Sequence, residues 1–527
     1  MNTNRVAVGF ITVLVMACCL ALGGFASAAS AEPLVVTTFA DTADPPFNAD
    51  GPCGTGTVSD LPGADGLISL REAIIAANNT PGAHTITFDP SLSGGTVVVN
   101  FDDLDADTDP DPLPALCGGH TRIEGDLNGD GVPDITLEGA AFPGPSRAAG
   151  IFVLSSHNTI QGLQVQHFPL GIVVRADHLP IPGTSATVTH NTVTNNILAE
   201  SSFHGIFVLT GDAPGSVLAH TTITHNLVMN NAQHGIVVVA NLSGAGADTQ
   251  INHTAIINNE VRENGLFGIF LLSQGDHNLF TNATIAQNTI ASNTFAGINV
   301  WGGFGGADDN TLEVDIKDNT VTDNGFGGIE VIGGFDNSSN NHVAARIRGN
   351  TVARRHQNQG IAALAAVGAV NFPTGASNNN VLDVRIEWNT VVQSQPGDGI
   401  YIAAGEGSPD GRPNAVADGN HTRAIVEHNT VEDNAAKGIE LDAGSSGLAN
   451  SNTTEIRVAH NTVCHNTITA ILGEGGFSGD ALFPANQGTG NVLTGEIFQN
   501  TATTVTVADG TPGNTATVTQ FNNVPCP

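Results

Sequence analysis

Three acidic residues near the C-terminal end of the chain have a spacing that suits acid–base chemistry. Glu440 and Asp442 are two residues apart, and Glu474 follows in the next repeat of the sequence. On a strand, positions i and i+2 lie about 7 Å apart on one face, and equivalent positions of neighbouring strands lie about 5 Å apart. Both separations match paired carboxylates in glycoside hydrolysis. With Lys437 as a base, the same acids could instead hold a Ca²⁺ ion that neutralises a uronate. The alternative is a solvated acidic edge.

A second acidic motif suits calcium more directly. Asp126, Asn128, Asp130 and Asp134 place oxygen ligands at positions one, three, five and nine of a short segment that has a glycine after the third ligand. The segment resembles the calcium loops of dockerin and integrin-propeller repeats, although Leu137 occupies the position of their bidentate glutamate. It predicts a Ca²⁺ site that stiffens the N-terminal region without catalysis. The alternative is an acidic turn that binds nothing.

The elements that position these residues follow from a repeat. An Asn-Thr-Val phrase, a second Asn and a Gly-Ile pair recur, with the first Asn at 191, 226, 259, 288, 319, 350, 389, 429 and 461. A period near thirty residues indicates stacked supersecondary units. Within each unit the apolar residues alternate with period two, which predicts strands. Asn tolerates turn conformations and its amide can bond the equivalent amide of the next unit, so these Asn residues are interpreted as structural.

The apolar columns of the repeat predict the fold. Valine or isoleucine stands three places before the first Asn, two places after it, and after the Gly of every unit. Such β-branched columns must stack inward, which gives parallel strands about 4.8 Å apart wound as a coil. Crossovers in one coiled parallel sheet are right-handed. The prediction is therefore an all-β chain, a right-handed parallel β-helix of about ten or more rungs.

The repeats resemble the right-handed parallel β-helix of the pectate-lyase-like superfamily. The preceding region resembles the CSLREA domain of secreted bacterial proteins, through Ser69-Leu70-Arg71-Glu72-Ala73-Ile74 and Thr85-Ile86-Thr87-Phe88. The resemblance implies a cap on the first rung. The predicted organisation is a targeting segment at 1–31, a cap region at 32–149, the β-helix at 150–475 and a β-rich C-terminal cap at 476–527. Ile68 replaces the leading Cys of that signature.

Cysteine use predicts two disulfides. Cys53 and Cys117 precede the repeats, whereas Cys464 and Cys526 lie at their end. Four cysteines allow three pairings. We expect Cys53–Cys117 and Cys464–Cys526, because each bond then holds one end of a solenoid, where fraying begins.

Charge and hydropathy predict the compartment and exclude one class of partner. The chain has 16 Lys and Arg against 50 Asp and Glu, for a formal net charge of −34. Such a surface repels nucleic acid, which requires a basic patch. Residues 1–31 have a positive start, an apolar stretch and small-residue cleavage sites, as a signal peptide does. No later run is long and apolar enough to span a bilayer, so we expect a secreted or cell-surface monomer.

Outward-facing residues after the repeat Gly predict a binding groove. The second and fourth residues after each Gly form two outward-facing columns. The residues of these columns that could contact a ligand are Phe207, Phe270, Trp301, Glu330 and Tyr401. Long variable segments follow these strands and could form the walls of a groove. Either the groove binds an extended ligand, or the loops fold over the face and bury it.

Two other sets of polar residues are interpreted as structural. We expect the histidines at 204 and 234, at 190 and 225, and at 428 and 460 to stack in neighbouring rungs, with transition-metal binding as the minor alternative. We expect Arg346, Arg348 and Arg385 to form ion pairs across rungs.

The leading functional hypothesis is engagement of an extracellular polysaccharide along the aromatic groove, because aromatic rings stack on sugar faces. Catalysis by Glu440, Asp442 and Glu474, with Lys437, is its extension, as a lyase or a hydrolase. The alternative is a non-catalytic adhesion or structural protein, since this fold hosts many functions.

Overall fold

A computed structural model describes most of the chain in atomic detail. The described residues are 33–48, 51, 53–99, 113–139, 148–176, 185–211, 213–242, 248–354, 358–368, 375–407, 415–445, 448–476 and 488–527. The predicted signal peptide at 1–31 lies outside them. None of the helices within these ranges is long and apolar enough to cross a membrane.

The described chain coils into three long sheets, and nearly all neighbouring strands are parallel. Each turn of the coil contributes to the first, second and third sheet in order, so that the strand of one rung pairs with the equivalent strand of the next. The predicted right-handed parallel β-helix is confirmed. The pairing has a simple physical origin, because the period-two pattern sends valine and isoleucine inward at equivalent positions of every rung.

The strands of the first sheet are Leu34–Val36, His84–Phe88, Thr121–Glu124, Thr159–Gln161, Thr187–Thr189, Thr192–Thr194, Val217–Ala219, Thr222–Thr224, Gln250–Asn252, Ala255–Ile257, Leu279–Ala286, Thr311–Lys317, His342–Arg348, Val381–Glu387, His421–Glu427, Thr453–Ala459, Val492–Phe498 and Thr515–Phe521. Those of the second sheet are Thr96–Val98, Ile135–Glu138, Leu163–Gln166, Ile197–Ala199, Leu227–Met229, Glu260–Arg262, Thr289–Ala291, Thr320–Thr322, Thr351–Ala353, Thr390–Val392, Thr430–Glu432, Thr462–Cys464 and Thr501–Ala502. Those of the third sheet are Ala149–Val153, Leu170–Arg175, His204–Leu209, Ile236–Ala240, Ile269–Ser273, Ile298–Trp301, Ile329–Phe335, Ile361–Val367, Ile400–Ala403, Ile439–Asp442, Ile471–Glu474 and Val505–Ala508. A small extra sheet pairs Gly375–Ala376 with Ala415–Val416.

One hydrophobic core runs through the coil from Leu34 to Ala502. Ile236, Ile269 and Ile298 pair in register and are fully buried, as the repeat predicts. Because the strands before residue 150 and after residue 475 join the same sheets and the same core, the β-helix continues into both flanking regions.

The sequence alignment of the first unit was wrong. Asn191 does not stack on Asn226; the residue in register with Asn226 is Asn196, whose backbone N–H donates to Asn226 Oδ1 at 3.0 Å. Val193 accordingly pairs with Ile223 rather than with Val228. The rung that contains Asn191 and Asn196 has Asn at two successive turns, five residues apart, and the prediction aligned Asn191 with the later units. The number of residues from Asn196 to Gly205 matches the corresponding number in most later units, whereas the number from Asn191 does not.

Asparagine is structural here, as predicted. Asn319 is representative: its Oδ1 accepts from the Asn288 backbone N–H at 2.9 Å, and its Nδ2 donates to Asn350 Oδ1 and to the Ile285 carbonyl, each at 2.9 Å. Every such amide is buried and satisfied within the ladder. A further ladder, which the sequence analysis did not identify, precedes the first sheet and contains Asn278, Asn310, Asn341, Asn380, Asn420, Asn452, Asn491 and Asn514.

A helix covers the N-terminal end of the coil, and a disulfide holds each end. The α-helix Leu70–Asn79 begins at Ser69, whose side chain accepts from the Glu72 backbone N–H, and buries its apolar face on the first rung. Arg71 in this helix is buried and paired with Asp41 at 2.8 Å. Two short 3₁₀ segments, Val58–Asp60 and Pro90–Leu92, complete the helical elements of the described ranges. The predicted disulfides Cys53–Cys117 and Cys464–Cys526 are both present.

Candidate functional site

The three predicted acids meet on the outer face of the third sheet near its C-terminal end. Glu440 is in register with Tyr401 on the preceding strand, and Asp442 is in register with Ala403 before it and Glu474 after it. Strand alternation turns all of these side chains away from the core. Instead of lying on a solvated edge, Glu440 and Asp442 are only 5% and 1% exposed. Glu474 is half-buried beside them.

Lys437 supplies the positive charge of this cluster. Its ammonium Nζ donates to Glu440 Oε1, and its backbone N–H donates to Asp398 Oδ1 at 2.7 Å. Asp398 is itself buried. Among the described residues, Lys437 is the cation that contacts this group of carboxyl groups.

Two buried carboxylate oxygens in the cluster have no hydrogen-bond partner among the described residues. They are Asp442 Oδ1 and Glu474 Oε2. A buried polar group without a partner costs free energy, and an ionised one costs more. Folded proteins rarely bury a polar atom without a partner. Two neighbouring carboxyl groups with such atoms therefore indicate that a proton or a ligand is bound there.

The electrostatics favour protonated carboxyl groups. Burial, with Asp442 and Asp398 nearby, raises the pKa of Glu440, whereas the charge of Lys437 lowers it. Burial and the proximity of Glu474 raise the pKa of Asp442 well above its usual range. Burial opposes the charge of Lys437, but Glu440 raises the pKa of that ammonium. A carboxyl group whose pKa is raised in this way holds its proton to higher pH and can act as a proton donor.

The cluster continues along the same face toward the middle of the sheet. Burial raises the pKa of both Glu330 and Glu406 to about 7. Asn299 Nδ2 donates to Glu330 Oε2 at 2.7 Å. The hydroxyl of Tyr401 shares a hydrogen bond of 2.6 Å with Ser445, and burial followed by nearby carboxylates raises its pKa well above 10.

Three residues of this face, Glu406, Asp398 and Ser445, were not predicted from the sequence. Glu406 follows its strand by three residues, and backbone bridges to Val367 and Ser445 bring it onto this face. It lies six residues after Ile400, in a column with Phe335, Val367 and Ser445 at the same offset in their rungs, beyond the outward positions that the prediction used. Asp398 precedes the repeat Gly at 399, a position that the column analysis did not inspect.

The aromatic half of the predicted groove is closed. Phe207 and Phe270 are each 6% exposed and belong to a second apolar cluster, packed against Phe203, Leu242 and Phe267. Trp301 stacks on Phe335 at 4.5 Å and meets Phe270 edge-on at 4.8 Å. These rings pack on each other and are buried. Of the two alternatives predicted for this face, a ligand-binding groove or a face covered by its own loops, the second therefore describes the aromatic half. Tyr401 is likewise 7% exposed.

The predicted calcium loop is ordered by its own backbone. Asp126 accepts from the backbone N–H groups of Gly129 and Gly131, each at 2.8 Å. Asp134 accepts from the Leu127 N–H and from the Ser93 hydroxyl, each at 2.8 Å. The oxygens keep free lone pairs, so the donors suit Ca²⁺ chemically. Among the described residues, however, no three His, Cys, Asp or Glu side chains converge as a metal site.

Most of the predicted stacked pairs are confirmed. The rings of His204 and His234 lie 5.1 Å apart, and those of His428 and His460 lie 4.9 Å apart. The pairing of His190 with His225 is wrong, for the same register reason as Asn191. His190 belongs instead to an exposed column with ring separations of 4.5–4.8 Å, formed by His120, His157, His190, His220 and His253.

Two of the three expected arginine pairs across rungs are present. Arg346 pairs with Glu387 at 3.1 Å, and Arg348 pairs with Asp315 at the same distance. Arg385 instead contacts Glu387 of its own strand at 2.9 Å. These pairs lie on the outer face of the first sheet, away from the acidic cluster.

Comparison with known proteins supports the fold. Residues 131–344 match the family model described as right handed beta helix region. No curated protein sequence matches the chain significantly. A solved structure similar to this chain is the mannuronan C-5 epimerase AlgE6 A-module of Azotobacter vinelandii, at 16% identity and a TM-score of 0.42, over 87% of this chain and 95% of that one.

Two further structures show weaker similarity. The periplasmic alginate epimerase AlgG has 12% identity and a TM-score of 0.29, over 85% of this chain and 79% of that one. The pectate lyase Pel9A has 11% identity and a TM-score of 0.28, over 93% and 78%. Similarities at this level assign no activity. The described chain is a right-handed parallel β-helix, and residues 131–344 carry the sequence match to that region family.

Proposed function

We propose that this chain binds an extended extracellular polysaccharide and acts on it by acid–base chemistry at the acidic cluster of the third sheet. The observation that carries the proposal is the buried, unpartnered carboxylate oxygen of Asp442 beside Glu474 and the Lys437–Glu440 pair. A scaffold has no structural need for such a group, because an apolar residue there would be more stable. Perturbed carboxyl groups of this kind are typical of functional sites.

Each residue has a separate role in the proposed chemistry. Asp442, kept protonated by burial, is the proton donor to a glycosidic oxygen or to a developing enolate. Glu474, half-buried at the rim, is the carboxylate that accepts a proton or holds a water. Lys437 balances the negative charge that develops when these groups exchange a proton.

Exposure to the outside of the cell is part of the proposal. Two disulfides, one at each end of the solenoid, are typical of proteins that fold in oxidising compartments. An extracellular polymer would be accessible there, and a long parallel sheet presents equivalent positions at regular intervals along such a polymer.

The test is a polysaccharide panel that includes alginate, polygalacturonate and neutral glucans. Cleavage is followed by reducing ends, elimination by ultraviolet absorbance, and a change of sugar configuration by proton NMR. Asp442→Asn should lower the rate on any active polymer about a hundredfold or more. The matched control is Asp433→Asn, the same chemical change at an exposed turn, which should leave the rate unchanged.

Two results would reject the proposal. One is full activity of Asp442→Asn. The other is the absence of any turnover across the panel, which would favour the rival function, a non-catalytic surface or adhesion protein. The buried aromatic columns favour that rival, because they leave no exposed ring for sugar stacking on that half of the face.

A further inference from the structure

A separate groove lies on the outer face of the first sheet. It has a volume of about 880 Å³ and is formed by the strands Leu279–Ala286, Thr311–Lys317, His342–Arg348, Val381–Glu387, His421–Glu427 and Thr453–Ala459. With strands about 4.8 Å apart, it extends about 20 Å along the solenoid. The acidic cluster lies on the third sheet, so the groove is not part of that site.

The groove gathers much of the scarce positive charge of the protein. Its lining includes Arg346, Arg385, Arg423 and Arg457, each of which is about half exposed. Four acids also line it, namely Glu313, Asp315, Asp383 and Glu455. Four guanidinium groups against four carboxylates make the lining neutral, whereas the whole chain has a net charge of −34.

The charged side chains are held in fixed positions. Arg423 Nη2 donates to Asp383 Oδ2 at 2.8 Å on the adjacent strand, and Arg457 pairs with Glu427 across the next rung. Arg346 donates twice to Glu387, at 3.1 and 3.3 Å. Because a guanidinium has five N–H groups, each arginine keeps donors beyond those its partner uses. The groove thus has rows of donors beside rows of acceptors.

A small side chain makes the space. Ala344 stands between Glu313 and Asp383 in one outward column of the groove. The absence of a longer side chain at Ala344 leaves room for a ring-sized group beside the arginines.

We propose that this groove binds a neutral, hydroxyl-rich polysaccharide strand. Sugar hydroxyl groups both donate and accept hydrogen bonds, so they match alternating guanidinium and carboxylate groups without needing a net charge. An anionic polymer would meet the carboxylates of the groove and the field of the whole chain. A cationic polymer would meet the four arginines. The neutral lining therefore selects a neutral ligand.

Calorimetry with soluble gluco-, manno- and galacto-oligosaccharides tests the proposal on the full chain. The variant is the double change Arg423→Gln with Asp383→Asn, which keeps the net charge and approximate shape. It should weaken binding about tenfold or more, since charge-assisted hydrogen bonds are lost. Ala344→Trp should abolish binding because the larger side chain fills the floor of the groove.

The matched control is the double variant Arg262→Gln with Glu260→Gln, which removes a surface ion pair of 2.8 Å on the second sheet. It should bind the oligosaccharides as the unmodified protein does.

The proposal is overturned if none of these oligosaccharides binds the unmodified chain. It is also overturned if both groove variants bind normally, or if polygalacturonate binds here in preference to the neutral probes.

Discussion

Asp442 and Glu474 are in register on adjacent strands of the third sheet, and each has a buried carboxylate oxygen without a hydrogen-bond partner in the described part of the chain. Nearby, Lys437 pairs with Glu440. In the described part of this buried face, Lys437 is the cation that contacts the carboxyl groups. This relationship makes the C-terminal end of the sheet chemically unlike the aromatic part that precedes it.

The first prediction concerns the ion pair of the cluster. Lys437→Met should lower the free energy of unfolding by about 3 kcal/mol, because it leaves the Glu440 carboxyl buried without its counter-charge. Glu440→Gln in the same chain should recover most of this loss. Denaturant unfolding of the two single variants and the double variant measures the coupling. Additive losses in the double variant would show that the pair contributes nothing.

The second prediction concerns pH. The pKa of Glu330, about 7 in the folded chain, lies above the ordinary value of 4.5, so the folded state binds the extra proton. The stability this provides is complete below about pH 4.5 and is lost as the pH rises through about 7. Glu330→Gln should therefore flatten the fall in melting temperature between pH 5 and pH 8. Asp433→Asn, at an exposed turn, should leave the slope unchanged; an unchanged slope in Glu330→Gln would contradict the assignment.

The third prediction tests the asparagine ladder. Asn319→Ala should destabilise the protein by about 3 kcal/mol, since it leaves the Asn288 N–H and the Ile285 carbonyl buried without partners. Asn319→Asp keeps the shape but removes the donor, so it should be at least as harmful. Thermal unfolding with Thr289→Ala, an exposed strand position, provides the control. Wild-type stability in Asn319→Asp would refute a hydrogen-bonding role.

The fourth prediction concerns the C-terminal disulfide. Cys464–Cys526 closes a separation of 62 residues, for which the chain-entropy estimate is about 4 kcal/mol. Cys526→Ser should therefore speed hydrogen exchange in Thr462–Cys464 and Thr515–Phe521, as the last rungs fray. Mass spectrometry locates the effect. Cys53→Ser, which breaks the other disulfide, should leave exchange in these strands unaltered, and uniform acceleration along the chain would count against local fraying.

The fifth prediction concerns the loop from Asp126 to Asp134. If its oxygens bind Ca²⁺, calorimetry detects uptake by the unmodified chain, and Asp130→Ala abolishes it. Added Ca²⁺ should also raise the melting temperature in proportion to the logarithm of its concentration. Asn337→Ala, a polar loop change elsewhere, is the control. Heat of binding that persists in Asp130→Ala would place the ion outside this loop.

The fold could be predicted because its information is periodic. Ile236, Ile269 and Ile298 occupy the same position in successive repeats, and each pairs with the equivalent residue of the next rung. Residues that align in the repeat therefore stack in the structure. Register was the weaker part. Asn191 and Asn196 are locally alike, and only the downstream distance to Gly205 distinguishes them.

The sequence by itself determined the β-helix, the inward columns, the turn asparagines, both disulfides and the shared face of Glu440, Asp442 and Glu474. Only the tertiary structure decided that this face is buried, that Glu406 joins it, and that Phe207 and Phe270 pack on other rings instead of facing solvent. The groove around Ala344 and Arg423 also came from tertiary structure alone. The reason is physical: strand alternation fixes the side of the sheet on which a residue lies, but burial and pKa depend on loops of unequal length, which no repeat encodes.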